Sequence, residues 1–188
     1  LHGFLSSPDS KKAQETLNYY LRFEQADRIV IPALPFEPRA AIALATAQLE
    51  NLFCKFGSAL VIGSSLGGFY ATHLVETIGG DGVVINPAVN PHLLFKHYIG
   101  SNRHYYTGEV HQLEERHLNQ LAQISHARIS KPENLLVMLQ TGDQTLDFRH
   151  AEKLYKNCNC IIEEGGSHTF DGYKDWLPEI LMFNFSSK

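Results

Sequence analysis

This sequence is poor in basic residues and in cysteine, and it has no long apolar run. Its 16 Lys and Arg residues are outnumbered by 20 Asp and Glu, which gives a net charge of −4. A chain without a basic excess has little with which to displace the counterions of nucleic acid. Its apolar runs also fall short of the 18 or more residues that cross a membrane as a helix. The composition therefore argues against a nucleic-acid partner and against a membrane span.

The three cysteines, Cys54, Cys158 and Cys160, cannot all form intramolecular pairs. One residue separates Cys158 from Cys160, a spacing that fits neither a zinc ribbon nor a redox motif. Reduced thiols in a cytoplasmic protein are the simplest interpretation. The sequence begins at Leu1 without a methionine, so we expect a few further residues upstream. A signal peptide among those residues is kept as an alternative.

Chain length and composition are typical of one globular domain over residues 1–188. With 44% hydrophobic and 19% charged residues, such a chain buries roughly 70% of its unfolded surface. Six apolar runs have the character of strands, at Leu1, 28–32, 59–62, 83–85, 135–139 and 160–163. Helical spacing occurs between them and after the last, at 11–24, 42–56, 66–78, 147–156 and 175–185. This alternation predicts an α/β fold: a mostly parallel sheet of about six strands, flanked by helices on both faces.

Residues 88–133 interrupt the alternation. The segment is rich in His and Tyr and has no strand pattern, so we expect a small helical insertion with short helices near 92–98 and 113–124. Its aromatic clusters at 95–98 and 104–106 either line an acyl pocket or pack a small cap. The run from His111 to His117 lacks a zinc-binding spacing, and we expect neither a metal nor a cofactor.

The sequence Gly63-Ser64-Ser65-Leu66-Gly67 lies between an apolar run and a helical segment. Gly-x-Ser-x-Gly in that context predicts a nucleophile elbow, a tight strand-to-helix turn from which the serine hydroxyl projects. Glycine suits positions 63 and 67 because Cβ atoms there would collide where the strand and the helix pass. The motif also arises by chance, so the assignment of Ser65 as a nucleophile needs further site residues beside it.

A nucleophilic serine needs an imidazole to accept its proton and a carboxylate to orient that imidazole. His168 lies on a glycine-containing loop after the last apolar run, and we favour it as the base. Asp143 comes first after the preceding run, whereas Asp147 stands before a helical segment, where an N-cap is the simpler role. Asp143 is thus the preferred acid and Asp147 the alternative. The order Ser65, Asp143, His168 is the one expected of α/β-hydrolases.

Two backbone N–H groups are expected to form an oxyanion hole. One belongs to Leu66, directly after the nucleophile, and the other to the loop after the first strand. Phe4 is the best candidate there, because Gly3 lets the backbone turn inward. The alternative for Phe4 is an ordinary turn with a core side chain.

Several motifs carry a resemblance when they are taken together. They are Leu1-His2-Gly3-Phe4-x-Ser6-Ser7-Pro8, Gly63-Ser64-Ser65-Leu66-Gly67-Gly68-Phe69-Tyr70-Ala71-Thr72, Asn86-Pro87-Ala88-Val89, Tyr106-Thr107-Gly108, Thr141-Gly142-Asp143 with Leu146-Asp147, and Glu164-Gly165-Gly166-Ser167-His168. Over essentially its whole length the chain resembles the small bacterial YqiA-type esterases. The departures are a truncated first strand and Phe69 where tyrosine is expected, and neither affects the three site residues.

The resemblance implies an α/β-hydrolase fold with little cap and hydrolysis of carboxylic esters or acyl thioesters. It also implies Ser65 as nucleophile, His168 as base and an Asp from 143–147. We therefore expect a serine esterase or thioesterase that acts on a small acyl substrate without a cofactor. The alternatives are a non-catalytic ligand- or partner-binding protein of the same fold, and an acyltransferase with the same triad.

Overall fold

The computed structural model describes residues 1–23 and 26–186. Within these residues the strands are β1 (Leu60–Ser64), β2 (Asp81–Ile85), β3 (Gly100–Arg103), β4 (Val110–Leu113), β5 (Leu135–Gln140) and β6 (Asn159–Glu163). The α-helices in the same ranges are α1 (Lys11–Leu21), α2 (Pro38–Phe56), α3 (Leu66–Thr77), α4 (Pro91–Leu94), α5 (Glu115–Gln123), α6 (Phe148–Leu154) and α7 (Leu177–Ser186). Strand and helix alternate along most of the chain, as the sequence predicts.

Four strands form one parallel sheet in the order β1-β2-β5-β6. The register pairs Leu60 with Asp81, Gly82 with Leu135, and Leu136 with Asn159. Both central strands, β2 and β5, are buried along their whole length. Burial on both faces explains why residues 83–85 and 135–139 within these strands are continuous apolar runs rather than alternating ones.

Successive residues of the central strands face two separate apolar layers. Val84 and Val137 pack against residues of α2, α3 and α6 on one face of the sheet. Val83 and Met138 pack on the other face against α7 and Tyr19 of α1. This arrangement confirms the predicted α/β class with helices on both faces.

The predicted strand at 28–32 is not found in the described residues, and the parallel sheet has four strands rather than about six. Beyond β1 the sheet continues only through Leu1, whose nitrogen donates to the Ile62 carbonyl and whose carbonyl accepts from Ser64 N–H. The segment instead contains a 3₁₀ turn, Ala26–Arg28, and then irregular chain.

The insertion contains the expected short helices, α4 and α5, with a 3₁₀ turn at Phe95–Tyr98. The prediction that it lacks strands was wrong, because β3 and β4 form an antiparallel hairpin that pairs Gly100 with Leu113. Only Leu113 of the eight paired hairpin residues is buried. A hairpin of exposed and half-exposed polar residues has no apolar alternation for sequence reading to detect.

Helix boundaries differ slightly from the predicted ones. The helix predicted at 11–24 ends at Leu21, and Glu24 lies outside the described residues. α2 begins at Pro38 and stops at Gly57, which adopts φ 74°, a backbone conformation that favours glycine. In the part of the chain that the structure describes, no helix is long and apolar enough to span a membrane.

Candidate active site

Ser65 lies at the junction of β1 and α3 with φ 56° and ψ −122°. A non-glycine residue with a positive φ is strained by about 1–3 kcal/mol and needs support from its surroundings. Its N–H donates to the Ile85 carbonyl, and its own carbonyl accepts from the N–H groups of Gly68, Phe69 and Ala88. The backbone is thus fixed by β2, by the first turn of α3 and by the start of the insertion, which is the geometry of a nucleophile elbow.

Two glycines let this junction close. A Cβ on Gly63 would lie 2.1 Å from the Gly67 carbonyl oxygen, so β1 and α3 approach too closely for any side chain there. A Cβ on Gly67 would lie 2.2 Å from the Leu1 carbonyl oxygen. The crowding predicted for position 63 is confirmed, whereas position 67 is crowded by the segment beside β1 rather than by position 63.

The loops after β5 and β6 bring Asp143 and His168 together. Asp143 Oδ2 accepts a hydrogen bond of 2.7 Å from His168 Nδ1, and Oδ1 accepts bonds of 2.8 Å from the N–H groups of Thr145 and Leu146. The Asp143 side chain is only 2% exposed. Burial raises the pKa of Asp143, but the bonds from His168, Leu146 and Thr145 outweigh burial and hold that pKa below its usual value.

An ionised carboxylate at Nδ1 fixes the proton of the neutral ring on that nitrogen. The other nitrogen, Nε2, is then an unprotonated acceptor, which is the form a general base requires. Among residues 1–23 and 26–186, Nε2 of His168 has no hydrogen-bond partner, and no direct bond joins it to the Ser65 hydroxyl. Ser65 and His168 line the same cavity.

Asp147, the alternative acid, has a different environment. Its side chain caps α6 by accepting from Arg149 N–H, and its Oδ2 lies 2.6 Å from Arg149 Nη2. The side-chain and backbone hydrogen bonds from Arg149 lower the pKa of Asp147 to about 2. The structure therefore places Asp143, and not Asp147, against the His168 ring.

His168 has to return across the sheet, because β6 lies three strands from β1. At ~4.8 Å per strand this is ~14 Å in the hydrogen-bonding direction. The return begins at Gly165 and Gly166, with φ 79° and 72°. Gln140, 3% exposed at the end of β5, holds the loop. Its Oε1 accepts from the N–H groups of Ser167 and Asp171 at 3.0 and 2.8 Å.

Asn86 holds the same loop from the end of β2. Its Nδ2 donates to the carbonyls of Ser167 and His168 at 3.0 and 3.3 Å. Its Oδ1 accepts from Gln140 N–H at 3.0 Å, and the residue is 3% exposed. Neither Asn86 nor Gln140 is among the predicted site residues. The available signal is an amide side chain placed directly at the end of an apolar run.

A lysine on α1 is the third residue that supports the loop carrying His168. Lys12 Nζ donates to the Thr169 carbonyl at 2.7 Å, next to His168 in sequence. Burial lowers the pKa of Lys12 to about 8, although Glu15 and Asp143 favour its charged form. Lys12 also lines the cavity, so it places a titratable cation beside the Asp143–His168 pair.

The predicted oxyanion donors, Phe4 and Leu66, lie on either side of the nucleophile. Leu66 is the first residue of α3, and Phe4 lies in the turn Gly3–Ser6, closed by Ser6 N–H on the Gly3 carbonyl. A Cβ on Gly3 would be 3.3 Å from Ser65 Cβ, so this turn contacts the serine directly. Within the described ranges neither the Phe4 nor the Leu66 N–H has a protein acceptor. Both N–H groups are therefore available to a ligand.

The cavity that Ser65 lines extends along the β1 edge of the sheet as far as Gln48 and Ser58, and its total volume is about 1420 Å³. Aromatic side chains from both predicted clusters line it, namely Phe95, His97, Tyr98, Tyr105 and Tyr106. The Phe4 ring lies 4.6 Å from the ring of Phe95, centroid to centroid. Among the described residues, no group of three or more His, Cys, Asp or Glu side chains is placed to hold a metal ion.

The parallel sheet, the strained serine after β1 and the Asp143–His168 pair on later loops are those of a protein with the α/β-hydrolase fold. Est1E from Butyrivibrio proteoclasticus, solved with ferulic acid bound, is similar: TM-score 0.67, 12% identity, 100% of this chain and 87% of that chain covered. A structure of the metagenome-derived lipolytic enzymes LipS and LipT gives a TM-score of 0.67 at 16% identity, covering 98% and 91%. Mouse alpha/beta hydrolase domain-containing protein 10 gives a TM-score of 0.64 at 11% sequence identity, covering 99% of this chain and 87% of that chain.

Residues 1–185 match the model of the family described as Uncharacterised protein family (UPF0227). The chain belongs to this family, the YqiA family, which confirms the resemblance drawn from the sequence motifs. At sequence identities of 11–16% these similar structures establish only the fold. That fold agrees with the one that the family membership implies.

Proposed function

We propose that the protein is a serine hydrolase that cleaves carboxylic esters or acyl thioesters through an acyl-enzyme. The observation that carries the proposal is the hydrogen bond between the buried Asp143 carboxylate and His168 Nδ1, which leaves Nε2 without a protein partner among the described residues, in the cavity that Ser65 also lines. A binding protein has no evident need for a strained serine and a buried ionised carboxylate.

In the proposed reaction the Ser65 hydroxyl attacks the acyl carbonyl carbon while His168 Nε2 takes its proton. The N–H groups of Phe4 and Leu66 hold the oxyanion. The C–O or C–S bond to the leaving group then breaks, and His168 returns the proton to that group. Water repeats the sequence on the acyl-serine and releases the acid. Asp143 orients His168 and stabilises its charged form.

The side chains that line the cavity favour a substrate with an apolar acyl group. The cavity lining includes the mutually contacting rings of Phe4, Phe95 and Tyr98, and predominantly apolar walls are typical of sites for small molecules. The similar structures include an esterase with ferulic acid bound and lipolytic enzymes, and both names fit acyl substrates with substantial apolar area.

The test compares wild type with Ser65→Ala, and with Ser64→Ala as a matched control one residue away. We expect p-nitrophenyl esters and acyl thioesters of graded length to be hydrolysed by wild type and Ser64→Ala. Ser65→Ala should lose at least ~10⁴-fold in turnover, by analogy with triad knockouts. A fluorophosphonate probe should label Ser65 stoichiometrically. Wild-type turnover in Ser65→Ala, or no labelling of folded protein, would refute the proposal, and the latter would favour a non-catalytic binding protein.

A further inference from the structure

The turn of the β3–β4 hairpin contacts the loop that carries Phe4. Tyr105 N–H donates to the Leu5 carbonyl at 3.0 Å, and His104 Nε2 lies 2.9 Å from the Ser6 carbonyl oxygen. Two consecutive carbonyls of the loop are therefore bonded to two consecutive residues of the insertion. These bonds connect segments that are about a hundred positions apart in the chain.

The other ring nitrogen of His104 fixes its tautomer. Nδ1 lies 3.2 Å from Tyr106 N and 3.1 Å from Thr107 N, and both of these N–H groups donate to it. A nitrogen that accepts carries no proton, so the proton of the ring is on Nε2, where a carbonyl acceptor requires it. One neutral imidazole therefore closes the hairpin turn with Nδ1 and holds the Ser6 carbonyl with Nε2–H.

The loop needs such support because of its backbone. Leu5 has φ 54°, a left-handed conformation that is strained for a residue with a Cβ. The Leu5 carbonyl shares its peptide unit with the Ser6 N–H, which donates to the Gly3 carbonyl. The Gly3 carbonyl shares its own peptide unit with the Phe4 N–H, so rotation of the Leu5–Ser6 peptide would break the bond that helps to fix the direction of the Phe4 N–H. At the other end of the loop the His2 ring donates from Nδ1 to the Gly3 carbonyl and accepts Leu34 N–H at Nε2. The Leu5 and Ser6 end depends on the hairpin.

We propose that the β3–β4 hairpin positions the oxyanion-binding loop, with His104 as the positioning residue. The inference rests on the proposed hydrolase function and deepens it. His104 touches no substrate: it acts through Ser6 and Leu5 on the direction of the Phe4 N–H. The insertion is then a fixed support for one half of the oxyanion hole rather than a lid that moves away from it.

Two substitutions separate the functions of the ring. In His104→Asn the side-chain oxygen lies near the position of Nδ1 and accepts the N–H groups of the turn, but no donor reaches Ser6. In His104→Gln the longer amide reaches the position of Nε2 and donates to Ser6. Gln112→Ala is the matched control, because Gln112 bonds Ser101 across the same hairpin and has no bond to the loop.

We expect His104→Asn to lower kcat for a p-nitrophenyl ester by about 10- to 100-fold with KM within about twofold, since a full oxyanion donor contributes ~10²–10³. His104→Gln should recover most of that loss, and Gln112→Ala should retain wild-type kcat. The preference for the ester over its thionoester, whose sulfur is a weak acceptor, should shrink in His104→Asn and remain in Gln112→Ala.

The outcomes distinguish this inference from the proposed function. If wild type hydrolyses the ester and Ser65→Ala does not, wild-type kcat in His104→Asn overturns the positioning role alone. An equal kcat loss in Gln112→Ala also overturns it, because general loosening of the hairpin would then explain the effect. An inactive wild type overturns both proposals.

Discussion

Replacing Asn86 with aspartate tests how the His168 loop is held. The substitution keeps the size of the side chain and the acceptor for Gln140 N–H, but it removes the donor to the Ser167 and His168 carbonyls. Two net hydrogen bonds at ~1 kcal/mol each are lost, and a carboxyl group 3% exposed then faces two carbonyl oxygens. We expect a loss of ~3 kcal/mol in the free energy of unfolding at neutral pH, and a fall in kcat as His168 loses its anchor.

The pH dependence of the free energy of unfolding shows whether loss of the Asn86 donor is the cause. Burial beside two carbonyls should raise the pKa of the carboxyl group that Asn86→Asp introduces above its value in the unfolded chain. A protonated carboxyl can donate to one carbonyl, so this bond is fully present below the unfolded pKa near ~3.9. Its contribution is lost as the pH rises through the folded pKa, and the deficit relative to wild type should therefore grow from ~1 to ~3 kcal/mol.

Urea unfolding of wild type and variant between about pH 4 and pH 8, with ester hydrolysis measured in parallel, provides the comparison. Asn119→Asp on the exposed face of α5 is the matched control and should stay within ~0.5 kcal/mol of wild type at every pH. A deficit below ~1 kcal/mol at neutral pH, or one that does not change with pH, would refute the anchoring role of Asn86.

Two further comparisons use matched pairs. Asp143→Asn should lower turnover by ~10²–10⁴-fold, because an amide cannot hold the His168 tautomer or stabilise its charge, whereas Asp147→Asn, still a competent N-cap, should keep turnover within about twofold. A larger loss from Asp147→Asn in the same ester assay would reverse the assignment of the acid. Gly63→Ala puts a Cβ 2.1 Å from a backbone oxygen and should cost more than ~3 kcal/mol in unfolding free energy or prevent folding. Gly57→Ala meets no atom within 4 Å and should cost only the ~1 kcal/mol of its positive φ. Equal denaturant midpoints for the two glycine variants would contradict the close approach of β1 and α3.

The sequence predicts the elements whose cause is local. Continuous apolar runs identify β2 and β5 because both faces of these strands are buried. Gly63 and Ser65 identify the elbow because the turn itself demands them, and Asp147 has the position of an N-cap. The placement of Asp143 after β5 follows from where parallel strands end.

The rest depends on contacts between distant segments, which local patterns do not record. The hairpin of β3 and β4 is polar, and tertiary bonds such as that from His104 to Ser6 hold it. The apolar run at 28–32 has the local pattern of a strand, yet it pairs with no strand among the described residues. Nothing in the local sequence distinguishes Asn86 and Gln140 from other polar residues. Their role depends on the fold, which places the His168 loop against their side chains.

The hydrogen bond from Ala88 N–H to the Ser65 carbonyl has a practical consequence. It couples the nucleophile to the backbone that enters the insertion, so a change in the electron density or orientation of that carbonyl should shift the amide proton resonance of Ala88 as well as those of Gly68 and Phe69 in the adjoining helix. In a 188-residue chain, the NMR cross-peak of Ala88 would thus report from outside the elbow whether the serine is free or acylated, without any label on the substrate.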